Sequence, residues 1–514
     1  MRHPMLRLAA DVRTRHLAPA LFALLLSACG GGGGGGAPPP APAPAPGGPV
    51  ADGGGEAAQE ALVELEAEPA GPRCAAGGTR VQSGIDSDAD GVLDDAEVTR
   101  TAYVCAEPVS ATAPAWRAGT LLSTDNATAA TMPDVAANSA GETVAVWVQD
   151  GQVWASRRTG ALAWQAPQPM SGPAARIESP RVAVNAQGQA VAVWVEVVPM
   201  GGYRIRASHR PAGGAWSTPV DAGASGAWMI KRPAVAMDPA GNAMVLFSHF
   251  DSTGDQLYAA RYTAGMGWSP AVSLASGVTT SDPQIGMDAG GNAVAAWHVS
   301  DGSRTVVRAS RHTMAGGWAP EVDISNPAPA SAVGQPRLVV AEDGGAVLAW
   351  AQEGGGVYLR RYAPATGWNP TLLQPTSRAT SGDLALALDA AGRPAVAWVQ
   401  WDGAIKNLYV GRQRAEDGWE PPALIEFDSG EVIQPRLKVD SAGRLLAVWQ
   451  QSNGTSYDVR ANRFMADAGW GLPAVLETSP ADVPAGSPQL ALSGDGTATL
   501  VWEQDAAVWF GQFR

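Results

Sequence analysis

The chain has 514 residues, 35 Lys and Arg against 49 Asp and Glu, a formal net charge of −14 and a pI near 4.9. That balance argues against nucleic acid, which needs a basic face. With three cysteines the chain has no thiol framework, and its uneven composition divides it into segments rather than equal domains.

The first segment, 1–28, reads as a targeting peptide: Arg2, Arg7, Arg13 and Arg15 precede an apolar run from Leu17 to Leu26 that is too short for a membrane span. It ends in Leu26-Ser27-Ala28-Cys29-Gly30, which resembles the lipobox of bacterial lipoproteins. The resemblance implies that Cys29 is lipidated and becomes the first mature residue, anchoring an exported protein in the cell envelope. Gly30 implies the outer membrane. Residues 29–70 form a tether of Gly31–Gly36, Pro38–Pro40, an Ala-Pro alternation through Pro46, and Gly53–Gly55. Such a sequence cannot bury enough apolar area to offset chain entropy, so disorder is expected. Its acidic end, residues 56–70, is expected to form a short helix that is marginal alone.

Residues 71–108 carry the sharpest local motif. The run Asp86-Ser-Asp88-Ala-Asp90-Gly91-Val92-Leu-Asp94-Asp-Ala-Glu97 fits the twelve-residue EF-hand calcium loop. Asp86, Asp88 and Asp90 stand at positions one, three and five, and Gly91 stands at the sharp turn. Val92 offers a carbonyl, Asp94 can hold a water, and Glu97 can chelate with both oxygens. With Cys29 assigned to lipid, Cys74 and Cys105 are left as the one possible disulfide, spanning the loop. So small a unit needs such staples, and calcium is the expected structural cofactor. From Cys74 to Cys105 the segment resembles a small module of unknown role in exported bacterial proteins, and its loop resembles those of dockerins and thrombospondin type-3 repeats.

From 111 to 514 one unit repeats eight times. An apolar strand ends in an aromatic at Trp147, Trp194, Phe247, Trp297, Trp350, Trp398, Trp449 and Trp502, at spacings of 47 to 53 residues. Six positions earlier stands a Gly in every copy, nine earlier an Asn or Asp in six, and fourteen earlier a Pro in seven. The unit therefore reads strand, Asx-Gly turn, strand. Runs such as Val144-Ala-Val-Trp147 are apolar at consecutive positions, so they should be buried on both faces. A third strand carries a cation at Arg157, His209, Arg261, Arg311, Arg361, Arg412 and Arg463, seven residues before a second Trp. A further Trp of that second series, Trp116, precedes the first copy, and the last copy lacks its own. The expected fold is all-β: an eight-bladed β-propeller whose N-terminal strand completes the last blade, a device that removes the open sheet edges. An open solenoid is the structural rival.

No active site assembles in the sequence. The four His after the leader have no metal spacing, and there is neither a nucleophile elbow nor a P-loop. The Asx-x-x-Gly-x-x-x-x-Trp pattern is similar to the Asp-box turn of sialidase-like propellers, but it lacks the Ser and places Trp later, so no catalytic residue carries over. The cation repeated in almost every copy reads as structural. Two residues past each first-series aromatic lies a second column: Gln149, Glu196, His249, Val299, Gln352, Gln400, Gln451 and Gln504. It is either an amide ladder between neighbouring strands or, in its functional reading, a polar ring at one channel mouth. Tyr203, Asp251, Asp255, Asp301, Trp401, Asp402 and Tyr457 occupy the following hairpin loops and suit a glycan or peptide. The reading that follows is a monomeric, lipid-anchored binding or scaffold protein engaging a glycan or envelope protein. The alternative is a carbohydrate-active hydrolase or lyase.

Overall fold

The computed structural model describes residues 60–68, 78–88, 92–105, 116–124, 128–160, 163–174, 176–252, 254–276, 279–300, 305–325, 333–352, 356–369, 372–374, 380–401, 403–414, 418–426, 430–477, 483–494 and 496–513. The leader, Cys29, the Gly/Pro tether and Cys74 lie outside them. The chain divides into two compact units, 1–113 and 114–514. All the regular structure described is β.

In the first unit, β1 (Glu60–Glu68), β2 (Gly78–Asp86) and β3 (Val98–Cys105) form an antiparallel sheet in that order. The helix expected over 56–70 is replaced by β1. An isolated helix of that length barely holds, whereas β2 offers an edge along which all nine residues of β1 find partners, Glu60 opposite Asp86 through Glu68 opposite Gly78. Glu66 faces Arg80 across the pair and forms an ion pair with it. Gly84 lies against the residue just before β3: a Cβ there would stand 2.0 Å from the Glu97 carbonyl oxygen. Leu93 is the buried apolar plug of the loop between β2 and β3.

The second unit contains, among its described residues, eight antiparallel sheets of four or five strands, a β-propeller-like all-β arrangement. In the first, β5 (Ala130–Ala137), β6 (Glu142–Gln149), β7 (Gln152–Thr159) and the short Gln168–Pro169 follow one another across the sheet. The last sheet has three strands from the end of the chain, Ala485–Leu492, Ala498–Gln504 and Ala507–Phe513. Its fourth is β4 (Trp116–Leu121), with Trp116 opposite Phe513 and Leu121 opposite Trp509.

Turn chemistry makes these hairpins. Asn138 accepts the Glu142 N–H on Oδ1 at 2.9 Å, and Gly141 takes φ +87°, which an L side chain resists. The Asn138 amide also donates to the Asn185 carbonyl of the next turn (2.8 Å), and Asn185 donates to the Asp238 carbonyl in the same way (3.2 Å).

The second strand of each sheet is the core, and its aromatic is at most 1% exposed in all eight. On β6, Val144 and Val146 pack with Ala190, Ala192 and Trp194 of the following sheet. Ala145 and Trp147, on the opposite face, pack with Ala491, Val501 and Val508 of the last sheet. Burial on both faces is what the unbroken apolar runs require. In the third strands, Arg261 and Arg361 donate to the carbonyls of the next repeat's turn glycines, Gly291 (2.9 Å) and Gly392 (2.7 Å), a structural use of that cation.

Candidate functional site

Three places carry candidate chemistry. The first is the acidic loop between β2 and β3. It brings Asp86, Asp88 and Glu97 together, with one carboxylate oxygen from each within 4.8 Å of the others. Glu97 Oε1 accepts both the hydroxyl (2.6 Å) and the N–H (2.7 Å) of Ser87, and Oε2 accepts the Asp94 N–H at 3.2 Å. These bonds, the Ser87 hydroxyl first, hold the Glu97 carboxyl below its ordinary range. Glu97 and Val98 also donate their N–H groups to the Asp94 carbonyl, closing the loop's last turn. Val92 is half-buried, while Asp90 and Gly91 lie outside the described residues. Three converging carboxylates repel one another unless a cation joins them, and an all-oxygen set of this kind suits a hard cation such as calcium.

The second place is the polar column after the core aromatics, and most of its amides turn inward. Gln149, Gln400, Gln451 and Gln504 accept, through Oε1, the indole N–H of Trp147 (3.2 Å), Trp398 (3.3 Å), Trp449 (3.0 Å) and Trp502 (3.1 Å). Residues i and i+2 of a strand share a face, so a Gln there reaches the Trp before it. All four are buried. Their amide oxygens are taken up by the core indoles, an inward use closer to the amide-ladder alternative than to a ligand ring. Where the column departs from this pattern the indole goes without. Glu196 binds Arg204 instead (2.6 Å), Val299 has no acceptor and Gln352 does not reach, and the buried N–H groups of Trp194, Trp297 and Trp350 have no partner among the described residues. His249 packs against Tyr258 at 5.3 Å. Trp401 stays 48% exposed, opposite Lys406 in the hairpin that follows. Of the loop residues named with it, Asp301 and Asp402 lie outside the described residues.

The third place is a cavity of about 460 Å³ lined by the first strands of all eight sheets. Those strands share a distortion. The residue before the repeat proline is left-handed in six copies, for example Met132 (φ 56°), Asp282 (φ 52°) and Gln434 (φ 52°), and the strand pairing slips there. Proline has no N–H for the ladder and is tolerated at such a bulge. The residue after the proline, or its counterpart in the sixth copy, lines the cavity in every copy: Asp134, Arg181, Ala234, Gln284, Arg337, Ala385, Arg436 and Gln489. Lys438 adds a cation two residues beyond Arg436.

The three arginines are held alike. Arg181, Arg337 and Arg436 each donate from Nη1 to the carbonyl of the proline before them, at 2.9, 3.0 and 3.1 Å. Each is half-buried, open to the cavity and surrounded by protein. Burial first, then the charges of Arg337 and Arg181, pushes Arg436 down to about 10. Burial likewise lowers Arg337 and Lys438 and raises the Asp134 carboxyl. Arg232 and Asp282, on the same wall, face each other at 3.6 Å.

The sequence places its candidate ligand groups two residues after the core aromatic and does not single out this set. The signal stood one residue after the repeat proline, in the run Pro-Arg at 180–181, 336–337 and 435–436. A neighbouring cleft of about 690 Å³ shares Arg232 and Asp282 with the cavity and also exposes Tyr203, Met229 and Lys231. Beside it Trp228 is 61% exposed and meets Phe250 edge-on at 5.9 Å.

Residues 60–105 match a family model described as a domain of unknown function, DUF7151. No curated protein matches the chain. Among solved structures, the BP39L lectin of Burkholderia pseudomallei is 16% identical, with 67% of this chain and 98% of that chain covered and a TM-score of 0.45. A leech intramolecular trans-sialidase is 8% identical over 77% and 93% of the two chains, with a TM-score of 0.38. An α-L-arabinanase of Penicillium chrysogenum is 13% identical over 55% and 92%, with a TM-score of 0.35. These likenesses assign no residue a role.

Proposed function

We propose that the chain is an exported binding protein, tethered to the outer membrane through lipid on Cys29, whose eight sheets are the blades of a closed propeller. Closure is supported by the pairing of β4 with Ala507–Phe513 and by the packing of Trp147 against Val501 and Val508. The N-terminal module is proposed to bind one structural calcium through Asp86, Asp88, Asp90, Val92, Asp94 and Glu97, with Cys74 and Cys105 bridged around it. The ligand is a glycan or a protein segment taken at the channel mouth.

The observation that carries the binding reading is the exposed shelf of Trp228, Met229 and Phe250 beside a cleft continuous with the charged cavity. Monomeric proteins rarely leave aromatic groups clustered at a cleft without a partner, and aromatic faces with convergent polar groups are the usual makings of a ligand site. Binding of the full-length chain to a panel of neutral, uronate and sulfated glycans and envelope extracts tests it. Binding weakened about tenfold or more by Trp228→Ala supports the reading, and flat responses throughout remove it. Turnover of a bound glycan, lost in Asp282→Asn or in Asp383→Asn, a second carboxylate lining the channel beside Arg337 and Arg436, would instead favour the hydrolase.

A further inference from the structure

The channel wall carries the cations Arg181, Arg232, Arg337, Arg436 and Lys438 and, among them, the carboxylates Asp134, Asp282, Asp383 and Glu503, yet most of the cations are held by no ion pair. Arg181, Arg337 and Arg436 make no ion pair with any described carboxylate, and neither does Lys438; Asp134, whose Oδ2 accepts the Val182 N–H at 2.9 Å, and Asp383 act on them only from beyond ion-pair distance. Arg232 is balanced by Asp282. Half-buried cations outside any ion pair repel one another across a cavity, and the simplest relief is a bound anion.

The placement of the three says which kind. They belong to the second, fifth and seventh of the eight first strands, so they reach the cavity from three sides rather than as one fork. A carboxylate is satisfied by a single guanidinium fork, whereas a tetrahedral oxyanion offers oxygens in several directions at once. Each guanidinium is fixed by its proline carbonyl. Arg337 adds a bond from Nε to the Leu384 carbonyl (3.0 Å) and Arg436 one from Nε to Gln489 Oε1 (3.3 Å). Their remaining N–H groups are therefore oriented before any ligand arrives, which lowers the cost of binding.

We infer that the channel binds a tetrahedral oxyanion, sulfate or phosphate, held by Arg181, Arg337 and Arg436 with Lys438 and either free or carried on a larger ligand. The inference rests on the closed-channel reading above and is independent of the aromatic shelf.

The test uses the full-length chain in chloride buffer freed of oxyanions. Sulfate and phosphate titrated by calorimetry should bind saturably at one site. At about a hundredfold excess over Kd, either should raise the unfolding midpoint by about 1–4 °C, while chloride at matched ionic strength does not. Arg337→Gln and Arg436→Gln should unfold in chloride no earlier than the parent, because each removes a half-buried charge that lies outside any ion pair, yet weaken binding about tenfold or more. Absence of saturable binding to the folded parent, or binding untouched in both variants, overturns the inference. If one variant does not fold, the other decides. A sulfated disaccharide that binds more tightly than sulfate, and loses that binding in Arg436→Gln, marks a group carried on a ligand. Weaker binding than sulfate marks the free ion. Loss of glycan binding in Trp228→Ala with sulfate binding intact separates this site from the shelf.

Discussion

The first and second strands of each sheet come from the same repeat and obey opposite rules. The second strands are nearly interchangeable, with Val-Ala-Val-Trp or a close variant, all inaccessible and packed on both faces. The first strands keep the proline and, in most copies, the left-handed residue before it. The next residue then runs through Asp134, Arg181, Ala234, Gln284, Arg337, Ala385, Arg436 and Gln489. Where a side chain must fit two neighbouring sheets, close packing admits one solution, so the copies agree. Where it faces a cavity that constraint is absent, and the copies are free to differ. Variation between the copies collects at the first strands.

The largest expected effect tests whether the second-strand core runs unbroken around the unit. Deleting residues 111–124 removes β4 and leaves the Ala507–Phe513 edge open. Calorimetry should show one cooperative transition at a much lower temperature, or none. Next, Trp449→Ala should cost about 3–5 kcal/mol in denaturant unfolding, the usual range for a large buried aromatic. Arg436→Gln, thirteen residues earlier in the same repeat, should cost nothing measurable.

A smaller effect depends on pH. Burial pushes the Glu477 carboxyl up to about 8, assisted by a hydrogen bond with Asp458 and by its charge and opposed by the Val459 N–H. Its folded affinity for the proton exceeds the unfolded one. The stabilisation is complete below the unfolded carboxyl range near ~4.3 and is lost as pH rises through about 8. The midpoint should therefore fall between pH 5 and 9 in the parent and fall less in Glu477→Gln. The smallest effect is a gain. Val299→Gln supplies the acceptor that Trp297 lacks and should stabilise by about 0.5–1.5 kcal/mol, read as a rise in denaturant midpoint.

The period, the turns and the twice-buried strands were legible because tryptophan, glycine and asparagine each have a local reason to be where they are. The inward turn of Gln149, Gln400, Gln451 and Gln504 was less legible. A polar residue two past a Trp reads equally as a partner for its indole or as a lining group until the strand's two faces are assigned. The Pro-Arg sites were hidden by the bulge, which breaks the strand alternation on which a sequence reading of faces depends. β1 was missed because the acidic segment has weak periodicity, and its partner β2 lies beyond nine intervening residues.

The comparison of the two strands is tested most directly by paired variants of the seventh repeat, Arg436→Gln and Gln451→Leu, each measured for unfolding midpoint and for sulfate affinity. The account predicts a crossed result: Gln451→Leu lowers the midpoint and keeps the affinity, while Arg436→Gln keeps the midpoint and loses the affinity. Loss of sulfate binding in Gln451→Leu, with Arg436→Gln binding as the parent does, would contradict it.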